Sequence, residues 1–576
     1  MINRGSNFKE VQLDVVGSST FGRYPKISVA KTYNMFQSDD FMVPYAGYQV
    51  AFPNLGTVGR GIFNSTKFNR LVIVVDNNVF LGQTTFNQMT QKNELNQIVK
   101  IGTLETSSGV VYIADNNKPQ IAIVDGVHIY IYDPTQTPMF QIASEDGMGA
   151  PITFVPGYIT FHDTYFICAA SNDVFANNGV SPGINNSWRL SVSNNGLVWP
   201  DSSSTVGLLE TKADNTQAVV RFPSRGNMIF VMGETVTEAW FDTGAQLFPY
   251  QRTNTYNIDY GCLNPATIAY MDELVVWLAI NEKSGPIIVA STGGNPEKIT
   301  TDGIDYLFSN LQDPADSRAF LYRQDGHLFY HINFYTDNFS LFVDFLPDGS
   351  RKIYHACDEN INYFIADQVA FYNNQYYFVT RNNGNVYAFD TIFTTFDGLE
   401  IPRFRVCSPI REIKQEYHII NDIGFTIEQG HDPYQQANTG PIFLITQDSQ
   451  FLVTQASEIG DLVSQDNMQL VDQTGNNDFI TQQGSASESD FLIAQQMAQF
   501  MTNGFLGIAP RVDLSISIDG GESFSSDLPY YLNPLGHRKN RLMWWNMGAA
   551  NDLTCKFRFW GFGRFVATNG VVMLRQ

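Results

Sequence analysis

Adjacent acidic residues are the first groups in this sequence whose types could do chemistry, and Asp272-Glu273 is an example. Glycoside hydrolysis uses two carboxyl groups that flank one sugar, one as acid and one as nucleophile or base. Neighbouring residues of a strand point to opposite faces, so this pair is not arranged to share a substrate. We therefore expect the pair to belong to a turn.

Imidazoles and thiols give no metal-binding pattern. His327 and His331 fall on one face of a predicted strand, but four residues of extended chain separate them too far to share a metal comfortably. The five cysteines are widely spaced and form no C-x-x-C pair, which argues against a zinc module and a disulfide framework. They are Cys168, Cys262, Cys357, Cys407 and Cys555. We expect buried thiols and ordinary core or surface imidazoles.

Nucleotide and hydrolase motifs are also missing from the sequence. Gly56, Gly59 and Gly61 lack the dinucleotide-binding spacing, and there is no P-loop, H-E-x-x-H, G-x-S-x-G or EF-hand pattern. We predict no catalytic, cofactor-binding or metal-binding residue, and the chain is not expected to be an enzyme.

One local motif approximates the Asp box of sialidase-like propellers, at Ser517–Phe524. In such a turn the Ser and Asp side chains hydrogen-bond the backbone, and glycine supplies a positive φ. Ser193–Trp199 is a weaker relative of the same turn. The motif predicts a stabilised hairpin rather than a reactive group.

The elements that must position these residues are β-hairpins, which recur from about residue 65 to 400. Leu71–Val75 turns through Asp76-Asn77-Asn78 into Val79–Leu81, and Gln120–Val124 turns through Asp125-Gly126 into Val127–Tyr132. Radial repetition is the commonest way for so many hairpins to hide their edges, so residues 65–400 are predicted to form a β-propeller. Two or three separate β-sandwiches are the alternative, because the repeats lack a WD or kelch signature.

The remaining segments suggest a second, sandwich-like β domain with an insertion. Residues 1–64 are assigned to an N-terminal arm and platform strands, and residues 401–430 and 506–576 to the two parts of a platform β domain. Residues 431–505 contain no Lys or Arg and repeat motifs such as Phe443–Gln447 and Phe451–Gln455. We predict an acidic, Gln-rich β insertion there, with low-complexity disorder as the competing interpretation. The predicted class is all-β.

Composition limits the function classes. The chain has 576 residues, 43% hydrophobic and 14% aromatic, which is too apolar for intrinsic disorder. Its formal net charge of −22 disfavours tight nucleic-acid binding. The first residues lack an apolar signal region, and no apolar run reaches membrane-spanning length, so neither secretion by a signal peptide nor stable membrane insertion is expected.

Several passages in order resemble the packaged-DNA stabilisation proteins of short-tailed bacteriophages, also called tail nozzle or tail hub proteins. Phe230–Gly244, followed by Phe248–Arg252 and Ile258–Cys262, is similar to the propeller portion of that family. Pro510–Phe524 and Gly536–Gly548 are similar to its closing segment, and Val16–Phe36 to its opening strand. The family's Tyr-Pro-Glu after the opening Asn is replaced here by Phe36-Gln37-Ser38, and residues 431–505 fall outside the resemblance.

The resemblance implies a structural protein of the virion tail. It implies a homohexamer below the portal and the head-to-tail adaptor ring, which extends the DNA exit channel and retains packaged DNA. Tail fibres or tailspikes are the other implied partners, and assembly is implied in the bacterial host cytoplasm. An acidic lumen would let double-stranded DNA pass without sticking, and residues 431–505 are predicted to form the nozzle tip.

Two further expectations concern partners and alternatives. Arg538, Lys539 and Arg541 form a basic cluster that is predicted to dock an acidic neighbour such as the adaptor. The alternative function is a propeller that binds or hydrolyses cell-surface glycans. A cytosolic propeller scaffold unrelated to phage is a third possibility.

Overall fold

The computed structural model describes residues 8–23, 30–88, 92–176, 184–222, 226–245, 248–411, 417–429, 444–445, 451–452, 511–532, 539–561 and 564–575. These residues form 44 strands and one α-helix, α1 (Asp302–Ser309), which confirms the all-β class. No helix within these ranges is long and apolar enough to cross a membrane.

Five strands precede the repeated region. They are β1 (Phe8–Leu13), β2 (Lys31–Tyr33), β3 (Met35–Ser38), β4 (Phe41–Pro44) and β5 (Gly47–Phe52). The first four pair with strands from the C-terminal part of the chain or with each other, whereas β5 belongs to the repeats.

Seven four-stranded antiparallel units, which we call blades 1 to 7, follow in chain order. Blade 1 contains β6 (Gly59–Ser65), β7 (Arg70–Val75), β8 (Asn78–Asn87) and β9 (Lys92–Thr103); blade 2 contains β10 (Tyr112–Asp115), β11 (Ile121–Val124), β12 (Ile129–Tyr132) and β13 (Phe140–Ile142). Blade 3 contains β14 (Val155–His162), β15 (Tyr165–Ser171), β16 (Ser187–Leu190) and β17 (Val206–Leu208); blade 4 contains β18 (Thr216–Arg221), β19 (Met228–Gly233), β20 (Thr237–Asp242) and β21 (Tyr250–Ile258). Blade 5 contains β22 (Ala269–Met271), β23 (Leu274–Asn281), β24 (Ser284–Ser291) and β25 (Glu297–Lys298); blade 6 contains β26 (Ser317–Gln324), β27 (His327–Phe334), β28 (Phe339–Phe345) and β29 (Arg351–Ala356). Blade 7 combines β30 (Gln368–Tyr372), β31 (Gln375–Thr380) and β32 (Asn383–Asp390) with the early strand β5.

The blades form because their middle strands are apolar on both faces. All five residues of Leu71–Val75 in β7 are buried, as expected for a strand covered on both sides by neighbouring sheets. The hairpin turns use residues that tolerate a positive φ, such as Asp163 at 54° and Asp325 at 49° followed by Gly326 at 88°. The β-propeller prediction is confirmed.

The ring closes through a strand from the other end of the repeated region. β5 pairs antiparallel with β32, with Tyr48 opposite Phe389 and Gly47 opposite Asp390. Tyr48 packs on Phe378 and Phe396, with ring centroids 5.4 and 4.6 Å apart. Blade 7 thus begins at residue 47, upstream of the boundary at 65 that the hairpin pattern suggests.

Two further sheets pack face to face beside blade 6. Their remaining strands are β33 (Arg403–Val406), β34 (Ile410–Arg411), β35 (His418–Gln429), β36 (Leu444–Ile445), β37 (Phe451–Leu452), β38 (Arg511–Ser517), β39 (Leu528–Tyr531), β40 (Lys539–Trp545), β41 (Ala549–Ala550), β42 (Asp552–Trp560), β43 (Phe565–Ala567) and β44 (Gly570–Arg575). The first sheet contains β1, β44, β35, β43, β4 and β3, with β40 and β41 on the other side of β35; the second contains β2, β33, β42, β38 and β39, with β34 on β42. Phe425 and Trp544 of the first sheet share a buried core with Leu514 and Phe557 of the second.

The second sheet is continuous with blade 6. Tyr33 in β2 pairs in parallel with His355 in β29, so strands of the propeller and of the sandwich form one ten-stranded sheet. The buried Arg405 guanidinium donates hydrogen bonds to the carbonyl oxygens of Asp14 and Ser18 and to Thr32 Oγ1, at 2.9 to 3.2 Å. This arginine ties the N-terminal segment to the joint.

The predicted insertion at 431–505 lies largely outside the described residues. Within it, β36 pairs antiparallel with β37, which joins the first two copies of the repeated motif. The chain leaves the sandwich at the end of β35 and returns at β38.

Candidate functional site: the acidic face of the propeller

One face of the propeller collects acidic residues from all seven blades. This face consists of the segments that lead into the first strand of each blade and the turns between the second and third strands. They are the described residues 53–58, 104–111, 143–154, 209–215, 259–268, 299–316 and 357–367, with turns 76–77, 125–128, 172–176, 184–186, 233–236, 281–284, 335–338 and 381–382. These segments contain nineteen Asp or Glu and three Lys or Arg. We call this surface the acidic face.

The opposite face is much less acidic. It consists of the turns between first and second strands and between third and fourth strands. They are the described residues 66–69, 116–120, 163–164, 222, 226–227, 272–273, 325–326 and 373–374, with 88, 133–139, 191–205, 243–245, 248–249, 292–296 and 346–350. These residues include seven Asp or Glu and two Lys or Arg. The negative charge of the propeller loops is therefore concentrated on one side.

Some acids of the acidic face hold the blades in shape. In blade 1, Asp76 accepts hydrogen bonds from the backbone and hydroxyl of Thr57 and from Val58 N, at 2.7 to 2.9 Å. In blade 4 the carboxylate belongs to the segment before the blade and the donor belongs to the middle turn. Asp214 there accepts a hydrogen bond from Thr235 N at 2.7 Å. Burial would raise the pKa of Asp76, but the hydrogen bonds from Thr57 and Val58 lower it overall. Such carboxylates stay charged and fasten the start of a blade to its middle turn.

Other acids of this face point into solvent. The side chains of Glu105, Asp259 and Asp302 are 62%, 65% and 105% exposed. Lys212 lies 3.7 Å from Asp259 and 3.6 Å from Glu282, so this cation is already shared between two carboxylates. The surface presents a net negative field that repels polyanions at short range.

Aromatic side chains of neighbouring blades meet near the centre of the propeller. The rings of Tyr112 in blade 2 and Tyr158 in blade 3 have centroids 4.9 Å apart. Burial raises the pKa of Tyr158, and smaller contributions come from Tyr270 in blade 5 and from Tyr112. Aromatic side chains from the first strands of blades 2 and 3 therefore pack against each other.

Blades 6 and 7 are joined by a buried ion pair. Arg318 Nη1 donates to Asp367 Oδ2 at 2.6 Å, and the Tyr335 hydroxyl also donates to Asp367. The Arg381 guanidinium lies over the Tyr335 ring, 3.4 Å from its centroid. Burial raises the pKa of Asp367, and Arg318 acts in the opposite direction. We assign this cluster a structural role.

The histidines noted in the sequence do not form a site. His327 Nδ1 lies 2.8 Å from Asp344 Oδ2, whereas His331 lies between the Tyr45 hydroxyl at 3.3 Å and Asn333 Oδ1 at 3.1 Å. Among the described residues no cluster of three or more His, Cys, Asp or Glu is arranged to hold a metal. The five cysteines are buried and unbridged.

The acidic pair and the Asp box form turns, as predicted. Asp272 has a φ of 53° in the hairpin turn of blade 5, and its carboxylate pairs with Arg323. Asp519 accepts from Ser517 Oγ at 2.6 Å and from the backbone of Glu522 and Ser523 at 3.0 Å. The hydrogen bond from Ser517 is the largest cause of the low pKa of Asp519.

Part of the predicted basic cluster is exposed on the sandwich. Lys539 and Arg541 lie on the outer face of β40, together with Trp545, whose side chain is 58% exposed. Arg538 lies outside the described residues. Sequence reasoning did not identify Trp545 as a neighbour of this cluster, although its spacing of two from Met543 and four from Arg541 places it on the same strand face.

Part of the chain matches a known protein family. Residues 81–344 match the family model described as bacteriophage P22 Gp10, beta-propeller. No curated protein matches the chain. The predicted resemblance to the packaged-DNA stabilisation family is confirmed by the match over this segment.

Solved structures resemble the chain only distantly. They include the N-terminal domain of Nup159, with 8% identity and a TM-score of 0.37 over 61% of this chain and 96% of that chain. An ancestral GH74 enzyme has 11% identity and a TM-score of 0.36, over 66% of this chain and 52% of that chain. A Trichoderma reesei protein of Carbohydrate-Active Enzymes Family AA12 has 12% identity and a TM-score of 0.33, over 62% and 97%. Structural similarity with such low TM-scores and sequence identities does not indicate a function for this chain.

Proposed function

We propose that this protein, which belongs to the phage packaged-DNA stabilisation family through its propeller segment 81–344, forms a sixfold nozzle of the virion tail. The nozzle lies below the portal and the adaptor ring, extends the DNA exit channel, retains packaged DNA and conducts it during ejection. It is made and assembled in the bacterial host cytoplasm, and it carries no enzymatic activity. The family match is the observation that carries the proposal.

The charge distribution supports a path for DNA rather than a binding site for it. A protein that binds duplex DNA neutralises phosphates with Lys and Arg, whereas nineteen acids and three bases occupy the acidic face. A wall of this sign keeps a polyanion mobile because no contact has to be broken as it slides. In a sixfold ring the channel runs along the ring axis, between the six subunits.

Attachment to the adaptor is assigned to the outer face of β40. Lys539 and Arg541 supply positive charge and Trp545 supplies exposed aromatic surface, a combination that is common in protein interfaces. Replacing Lys539 and Arg541 with Glu should weaken attachment to the adaptor and leave the fold intact. Full attachment of the reversed variant would remove this assignment. Tail fibres or tailspikes dock elsewhere on the outside of the ring.

The role of residues 431–505 as the nozzle tip remains a prediction. The chain leaves and re-enters the sandwich at β35 and β38, so the segment can be replaced by a short linker without interrupting a described strand of the propeller or the sandwich. The shortened protein should still assemble, and the phage should lose DNA prematurely or eject it abnormally. Normal retention and ejection would contradict a role as the tip.

Electron microscopy tests the main proposal directly. The purified protein is mixed with the portal and adaptor complex of its phage, and two-dimensional averages are compared with those of the complex alone. We expect added density with sixfold symmetry and an axial channel below the adaptor. The absence of added density would contradict the nozzle function.

A further inference from the structure

The second sheet of the sandwich carries cations and aromatic rings side by side on its outer face. Phe404 pairs with Arg558, and Arg511 pairs with both Trp560 and Tyr531, so these side chains share one face. Lys31, Val406 and Lys556 form the next row of the same face. The alternate residues of these strands point into the core: Val512, Leu514, Phe557 and Phe559. We call the outer surface the cation–aromatic face.

The cations of this face are held against the rings. Arg558 Cζ lies 3.5 Å from the Trp560 ring centroid and 5.0 Å from that of Phe404. Arg511 Cζ lies 5.1 Å from the Trp560 centroid, and Lys556 Nζ lies 5.0 Å from that of Phe524. Stacked cations lose little further side-chain freedom when a partner covers them, which favours binding.

Acids on or next to this face already compensate its two arginines. Asp513 lies 3.0 Å from Arg511 Nε and also accepts from the Trp560 indole. Glu400 accepts from Gly561 N at 3.0 Å. Lys31 is exposed and Lys556 is half-exposed. Lys31 and Lys556 are therefore the cations that a covering surface has to match with its own carboxylates, because burying them against an apolar partner would be unfavourable.

We infer that the cation–aromatic face of one subunit packs against the acidic face of the propeller of a second copy. This inference rests on the proposed assembly and assigns its subunit contact. The two faces have opposite charge and belong to the same chain, so they are complementary between copies. The exposed Glu105, Asp259 and Asp302 supply carboxylates for this contact.

The contact is head to tail. Two acidic faces of a chain with a net charge of −22 repel each other, which disfavours a dimer built from the same face twice. A contact between two different surfaces is heterologous. Such contacts form a closed ring when a whole number of subunits, each rotated by the same angle from the last, completes a full turn. Part of the acidic face is then covered between neighbours, and the rest faces the channel.

Carbodiimide cross-linking tests the contact, because it joins a lysine to a carboxylate only when the two touch. Rings are assembled on the portal and adaptor complex from an equal mixture of ¹⁴N and ¹⁵N protein, and mixed-isotope peptides identify links between chains. We expect links from Lys31 or Lys556 to the acidic face. The inference would be overturned if these lysines formed links to other parts of a second copy or to the adaptor but none to the acidic face.

A charge reversal provides the second measurement. The double variant Lys31→Glu and Lys556→Glu should weaken assembly by about tenfold or more at low salt, while its unfolding midpoint stays close to that of the wild type. The matched control is Lys67→Glu with Lys118→Glu, which changes the net charge equally on the opposite face and should assemble normally. Equal assembly of both variants would overturn the inference. Rings of wild-type protein with the wrong cross-links would leave the nozzle function standing, whereas the absence of rings would contradict that function itself.

Discussion

Arg318 and Asp367 form a buried ion pair at 2.6 Å that joins blades 6 and 7. The side chains are 8% and 0% exposed, so water screens the pair little. The Asp367 carboxylate also accepts from the Tyr335 hydroxyl, which satisfies a further lone pair. The pair sits beside the last blade, where the ring has to close.

Asp367→Ala should destabilise the propeller by about 3–5 kcal/mol, because it leaves the Arg318 charge buried without a partner. The measurement is the shift of the urea-unfolding transition of the full chain. The double replacement Arg318→Met and Asp367→Leu removes both charges and should cost clearly less. An Asp367→Ala protein as stable as the wild type would contradict the importance of the pair.

Arg405→Met should loosen the joint between the propeller and the sandwich. The replacement removes the hydrogen bonds from a charged donor to the carbonyls of Asp14 and Ser18, and hydrogen bonds to a charged group contribute about 1.5–3 kcal/mol. Limited proteolysis should cut the N-terminal segment of the variant faster than that of the wild type. Arg405→Lys is the control that keeps the charge but loses the fork of donors, and it should fall between the two. Unchanged cleavage would contradict the clamp.

Gly47→Ala should destabilise the closure of the ring. A Cβ at this position would lie 2.5 Å from the carbonyl oxygens of both Phe393 and Thr395, which are backbone atoms that cannot move aside cheaply. We expect a loss of about 1–3 kcal/mol in the unfolding free energy. Gly294→Ala is the matched control, since no atom lies within 4 Å of its Cβ position. Equal midpoints for the two variants would contradict this account.

The pH dependence of stability should contain a contribution from His331. Burial lowers its pKa to about 3, whereas an unfolded histidine titrates near 6.5. Between these values the unfolded chain binds the extra proton, so stability falls by about 1.4 kcal/mol per pH unit as the pH decreases from 6.5 toward 3. The free energies of unfolding of the wild type and of His331→Phe are measured from pH 4 to 8, and the difference between them should shift against the wild type by about 1.4 kcal/mol per pH unit below pH 6.5. Parallel curves would show that His331 is not buried as a neutral ring.

The sequence was sufficient to predict the propeller because its signals are local. Runs such as Leu71–Val75 and turns such as Asp325-Gly326 specify a hairpin within about ten residues. The Asp box at Ser517–Phe524 was predictable for the same reason, since its donors and acceptors lie within seven residues.

Other features depend on pairing over long distances and left no local signal. The pairing of Tyr48 with Phe389 joins residues more than 300 positions apart, so β5 looked like part of an N-terminal arm. The acidic face was not predicted because each blade adds only one to five acids, and they become a surface only when the ring brings the loops together. The cation–aromatic face likewise takes its members from five strands, β2, β33, β38, β39 and β42.

The closing strand also sets the order of events during synthesis. β5 leaves the ribosome early, but its partner β32 follows more than 300 residues later, which is roughly 20–70 s at elongation rates of about 5–20 residues per second. Until then blade 7 is incomplete, and the apolar face of blade 1 that packs on blade 7 stays uncovered. A nascent chain stalled before residue 383 should therefore stay open and be a substrate for chaperones, however well its first six hairpin units have formed.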